Sequence, residues 1–264
     1  MLLRGRAGIL FHLFAAVLLF ALLSFPALVS RAQQPDHSEH AGHEGMNMPT
    51  EPTDPALLAK IQAKNLADKK ESEFNHHLAG ALVILAALFI LAESFLRPRF
   101  SFLRWVWPLC FLGAGIFLLV FSDTELWPFG PHSWWSGLTQ NREDLQHKTF
   151  AVILLGLAYI EIQRARGVLT AAWSAWAFPV LAFAGSGLLF FHEHHSGMGG
   201  ADHMAHMALM QRIQSEHFAF SMTGFVIGLT KGLSEVRFRA QALFGRLWPV
   251  AMIVLGVLLM LYTE

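Results

Sequence analysis

HLAGALVILAALFILAESFL, residues 77–96, decides the fold, because its polar residues, His77, Glu93 and Ser94, all stand near its ends. Its length matches the roughly 20 residues that a helix needs to cross about 30 Å of hydrocarbon. The run is continuously apolar and lacks the period-two alternation of a barrel strand, so the bilayer's demand for internally satisfied backbone selects a helix. Five further segments share this character, at residues 104–121, 148–163, 170–191, 217–232 and 247–262. The whole chain agrees. Of its 264 residues, 54% are hydrophobic and 14% charged, and the mean hydropathy is +0.44. Such a composition leaves too little polar surface for a soluble globular domain. The sequence therefore predicts an all-α membrane protein whose residues 74–264 form a bundle of six transmembrane helices embedded in a lipid bilayer.

Upstream of this domain, Arg4 and Arg6 precede an apolar run from Ala7 to Val29 and the small-x-small pattern Ser30-Arg31-Ala32. Residues 1–32 read as a secretory signal peptide, with an uncleaved anchor helix as the alternative. Residues 33–73 are polar and carry Pro35, Pro49, Pro52 and Pro55. They bury too little apolar surface to offset the entropy of ordering and read as a flexible extracytoplasmic tail, with a short helix near 56–70.

Orientation follows from the basic residues. Arg97, Arg99, Arg104, Arg164, Arg166, Lys231, Arg237, Arg239 and Arg246 fall in one set of loops, against Arg142, Lys148 and Arg212 in the other. The positive-inside rule places the first set in the cytoplasm, and the tail, both long loops and the C-terminus outside. Nineteen basic residues balance nineteen acidic ones, so nucleic-acid binding lacks its electrostatic driving force. Cys110 is the single cysteine and forms no internal disulfide.

A repeat of about seventy residues runs through the domain. His77, His147 and His217 are spaced 70 and 70, while Trp107-Pro108, Phe178-Pro179 and Trp248-Pro249 are spaced 71 and 70. Three helical hairpins around a pseudo-threefold axis account for this, with Gly80, Gly156 and Gly224 permitting close helix approach. Six similar hairpin helices drifting into register are the alternative.

Apart from His12, all the histidines fall in the outer set of segments. The tail carries His37, His40 and His43 with Met46 and Met48, and the second long loop carries His203, Met204, His206 and Met207. At the helix ends stand His76, His77, His147, His192, His194, His195 and His217, with Glu193 among them. Imidazole suits copper, zinc and iron, whereas thioether is soft and favours Cu(I), so copper is the best single match and zinc the next. The ordinary alternatives are a polar linker for the tail, an interfacial amphipathic helix for the loop, and helix capping for the end histidines. Asp123, Glu125, Glu193 and Glu216 lie close enough in sequence or level to orient imidazoles as hydrogen-bond acceptors.

Other chemistries fit less well. His192-Glu193-His194-His195 lacks the second histidine four residues on that a zinc protease needs. The span interiors hold no ionisable side chain except Glu93 and Glu161 near inner ends, which argues against a proton-coupled pump. A membrane oxidoreductase with b-type haem stays open, since two histidines on neighbouring helices ligate one iron. Metal-assisted hydrolysis at a three-histidine site is a further reading, without a visible substrate pocket.

Over residues 74–264 the chain resembles, in general character, the copper resistance protein D family of bacterial inner-membrane proteins. The resemblance rests on histidines at the periplasmic ends of a multi-span domain. It rests also on Ser122-Asp123-Thr124-Glu125-Leu126-Trp127-Pro128-Phe129-Gly130 followed by Gln146-His147. It implies a non-enzymatic role in copper homeostasis at the periplasmic face, with His77, His147, His192 and His217 as candidate ligands. A periplasmic copper chaperone is the partner such a role calls for.

Overall fold

The computed structural model of the chain describes residues 55–96, 100, 102–190 and 203–263, with the side chains of 95, 96 and 203–208 outside that set. Among the described residues the regular structure is entirely helical: α1 (Pro55–Leu96), α2 (Leu103–Val120), α3 (Trp134–Gln140), α4 (Arg142–Ala165), α5 (Ser174–Phe190), α6 (His203–Ser234) and α7 (Gln241–Met260). The signal segment, the tail histidines His37, His40 and His43, and the tract His192-Glu193-His194-His195 lie outside the described residues.

Four of these helices, α1, α2, α4 and α7, are long and apolar enough to cross a membrane. The chain is thus a helical protein of membrane character. α5 is equally apolar but has only 17 residues. α6 has the length, yet Ser221, Thr223, Thr230 and Lys231 interrupt its apolar run.

α1 begins at Pro55, where the missing N–H is no loss. The helix expected near 56–70 continues without a break into the first apolar segment, making a single 42-residue element. Ion pairs at helical spacing, Lys64 to Asp68 and Lys69 to Glu73, hold the polar part. This part docks on the segment after α2. Lys64 pairs with Glu125 at 2.8 Å, and Thr124 donates to the Glu71 carboxylate from its backbone N–H and its hydroxyl, at 3.1 and 2.7 Å. α3 is capped by Ser133, whose hydroxyl oxygen accepts from the Ser136 N–H. α4 is capped by Asn141, with Glu143 and Asp144 in its first turn facing the positive end of the helix dipole. Gly167, at φ +72°, follows α4 in the left-handed conformation that suits glycine past a helix end.

α1, α2, α4, α5, α6 and α7 pack in sequence order, each against the next, and α7 returns to pack on α1. Several crossings depend on glycine. A Cβ on Gly80 would stand 2.6 Å from the Gly256 carbonyl oxygen, and one on Gly256 would stand 2.5 Å from Ile84 Cγ1, so α1 and α7 touch backbone to backbone. A Cβ on Gly224 would stand 2.2 Å from Ser186 Oγ, where α6 meets α5. Gly156 differs: a Cβ there meets open space.

The core centres on three aromatic residues that each precede a helical proline. Trp107, Phe178 and Trp248 form a triangle, with ring centroids 6.4, 6.3 and 5.2 Å apart, and are joined by Phe111, Met252 and Ile227. Edge-to-face contacts of this kind add about 0.5–1.5 kcal/mol per pair beyond simple burial.

Candidate functional site

Asn75, His76 and His77 are consecutive on α1. Helical rotation of about 100° per residue aims them at three different neighbours. Asn75 Nδ2 donates to the Ser122 carbonyl at 3.0 Å, fastening α1 to the end of α2. His77 Nε2 donates to the Tyr262 carbonyl at 3.1 Å, fastening it to the end of α7.

His76 turns between these contacts toward α6. Its ring lies against that of Tyr262, stacked at 3.9 Å with planes 22° apart, and meets the His217 ring at 5.7 Å with planes 86° apart. Phe220 closes the group, 6.2 Å from His76 and 5.5 Å from His217. His217 and Tyr262 are buried.

The hydrogen bonds fix the tautomers. His76 Nδ1 bonds the Ser72 carbonyl at 2.8 Å and His217 Nδ1 bonds the Ile213 carbonyl at 2.9 Å, each four residues back along its own helix. A carbonyl only accepts, so the proton sits on Nδ1 in both rings and Nε2 carries the lone pair. In His77 the assignment is reversed, because Nε2 is the donor to Tyr262.

His147 opens a second, ionic group. Its Nδ1 donates to Asp123 Oδ1 at 2.7 Å, and Lys148 donates to the other carboxylate oxygen, to the Ser122 hydroxyl at 3.3 Å and to the Leu118 carbonyl at 3.3 Å. Lys148 is 5% exposed, so its ammonium group needs Asp123, and together they close the C-terminal end of α2. Burial by itself would raise the Asp123 carboxyl. The hydrogen bond and charge of His147, with Lys148 and Ser122 beside it, instead hold it below the ordinary carboxylate range. Asp123 follows Ser122, whose carbonyl accepts from Asn75, so the ionic group lies beside the α1 histidines.

The structure thus brings His76, His77, His147 and His217 to one end of the helices. The α1 residue that meets His217 is His76, not its neighbour at the seventy-residue spacing. His203, Met204, His206 and Met207 belong to the first turns of α6, with side chains outside the described set. Of the acceptors singled out in the sequence, Asp123 bonds His147, while Glu216 pairs with Arg212 and Glu125 with Lys64. Among the described residues no three His, Cys, Asp or Glu side chains form a ready metal-binding group. Sequence reasoning missed Lys148, which it counted only as a loop cation. It also missed Tyr262, whose place at the end of the last repeat was the available signal.

These helices and their half-buried and buried imidazoles define a helical protein of membrane character with a histidine-rich end. No protein-family model matches the chain, and neither a curated protein nor a solved structure matches it.

Proposed function

We propose that the chain is a copper-binding protein of the bacterial inner membrane that captures the ion at its periplasmic face and holds it or passes it on. The observation that carries this reading is the pairing of His76 with His217, each with its Nδ1 held by a backbone carbonyl. Imidazoles that bind metals usually have the other nitrogen fixed in this way. Two imidazoles on one ion have ring centroids roughly 5 to 6 Å apart, given metal–nitrogen bonds of about 2 Å; His76 and His217 are 5.7 Å apart. This spacing supports a transition metal as the bound ion, with His77 and His147 at the same end of the helices.

The remaining parts of the proposal rest on sequence. His192, Glu193, His194 and His195 follow α5 and supply further ligands at the same end. The tail and the start of α6, through His37, His40, His43, His203, Met204, His206 and Met207, collect the ion. The thioethers favour copper over zinc. The likeness of residues 122–130 and 146–147 to copper resistance protein D points the same way. The domain is six spans in three hairpins, a reading supported by the meeting of Trp107, Phe178 and Trp248, one residue from each seventy-residue unit. Its histidine end faces the periplasm, supported by the nine-to-three distribution of basic residues.

Metal analysis of protein purified in mild detergent from copper-supplemented cells tests the reading. Copper at a fixed ratio to protein is expected. A Soret band, or protein without copper, would overturn it.

A further inference from the structure

At the end of the helices opposite the histidines, a cavity of about 660 Å³ opens among α1, α2, α4, α5, α6 and α7. Its charged lining is Arg104, Arg164, Arg166 and Lys231 against Glu93 and Glu161. Glu161, 4% exposed, is bonded by Arg164 at 2.8 Å, and Lys231 is paired with Glu235. Arg104 and Arg166 have no carboxylate partner among the described residues. The Nε of Arg104 is shut off from solvent and meets no hydrogen-bond acceptor, although its guanidinium lies 5.6 Å from the Trp105 ring centre. An unsatisfied buried donor on a charged group is costly. Ser174 and Ala175 also line the cavity, so the N-terminal end of α5, the positive end of its dipole, faces the same space.

We propose that this cavity binds a phosphate-type anion, either the headgroup of an anionic lipid in the adjoining leaflet or a free phosphate. Guanidinium forks match phosphate oxygens in pairs, and two arginines without carboxylates, converging with a helix N-terminus, supply donors that no side chain of the cavity takes up. Basic pockets between spanning helices are suited to lipid headgroups for the same reason. The site shares no residue with the histidine end and does not depend on copper.

The test uses the full chain in phosphatidylcholine nanodiscs. In one arm the discs contain a minority of phosphatidylglycerol, and lipid retained after a detergent wash is read by native mass spectrometry. In the other, phosphatidylcholine discs are dialysed against labelled inorganic phosphate. Retained phosphatidylglycerol identifies the lipid source and bound phosphate the free one; either upholds the site. Arg104→Gln and Arg166→Gln should each weaken retention roughly tenfold or more. Arg212→Gln, which removes one positive charge at the histidine end, should leave it unchanged. Arg166 is exposed, so its variant probes binding without disturbing the core. Failure of both anions to bind, or equal loss in the Arg212 variant, would overturn the proposal.

Discussion

His76 and His217 meet edge to face at 5.7 Å, each bonded through Nδ1 to the carbonyl four residues before it, Ser72 and Ile213. Two helices far apart in sequence thus bring together two imidazoles that are anchored in the same way. Ring packing alone does not require this.

The ionic group beside it governs stability. Asp123 and Lys148 are 8% and 7% exposed at the side chain, and removing one partner of such a buried pair strands the other. Asp123→Asn should cost about 3 kcal/mol, read by denaturant unfolding in detergent. Lys148→Met, which leaves no buried cation, should cost less.

A pH dependence follows from the same carboxyl. Its folded pKa lies below its unfolded one, so its contribution is complete above the ordinary carboxylate range and disappears as pH falls through the lowered value. Unfolding of metal-free protein between pH 6 and pH 3 should show this loss on the acid side, and Asp123→Asn should flatten it.

The α1–α7 crossing gives a steric test. Gly256→Ala places a methyl 2.5 Å from Ile84 Cγ1 and 2.8 Å from the Gly80 carbonyl oxygen, and should lower stability by about 1–3 kcal/mol. Gly156→Ala, facing open space, should be neutral or gain up to about 1 kcal/mol of helix propensity. Thermal unfolding of the two variants under one set of conditions compares them.

The seventy-residue spacing pointed to the right level of the molecule but not to the right neighbour. His77 and His76 are one helical step apart, about 100°, and a repeat count carries no information on which of two adjacent imidazoles faces the partner helix. The aromatic-proline pairs were legible only as a spacing; that Trp107, Phe178 and Trp248 meet is seen in the fold. Asp123 was readable as an imidazole acceptor from its level alone. Lys148 was not, since a lysine at a span boundary usually extends to water, and only the fold reveals Asp123 and the Leu118 carbonyl beside it.

Tail and helix end should divide the work of metal capture. Three histidines and two methionines in residues 36–48 offer many alternative ligand sets, so deleting that stretch should slow copper loading and leave the final stoichiometry nearly unchanged. Stopped-flow loading followed by metal analysis separates the two quantities.

Copper retained per chain after challenge with a competing chelator, compared across His76→Ala, His217→Ala and His77→Ala at one pH and detergent, tests the central claim most directly. The first two variants should each lose one tightly held ion, because each removes a coordinating nitrogen. His77→Ala, which only unfastens the Tyr262 carbonyl, should fall within the milder, roughly 10- to 100-fold weakening typical of groups that support a ligand. Retention equal to the parent protein in both the His76 and the His217 variants would contradict the account and make that pair a packing contact.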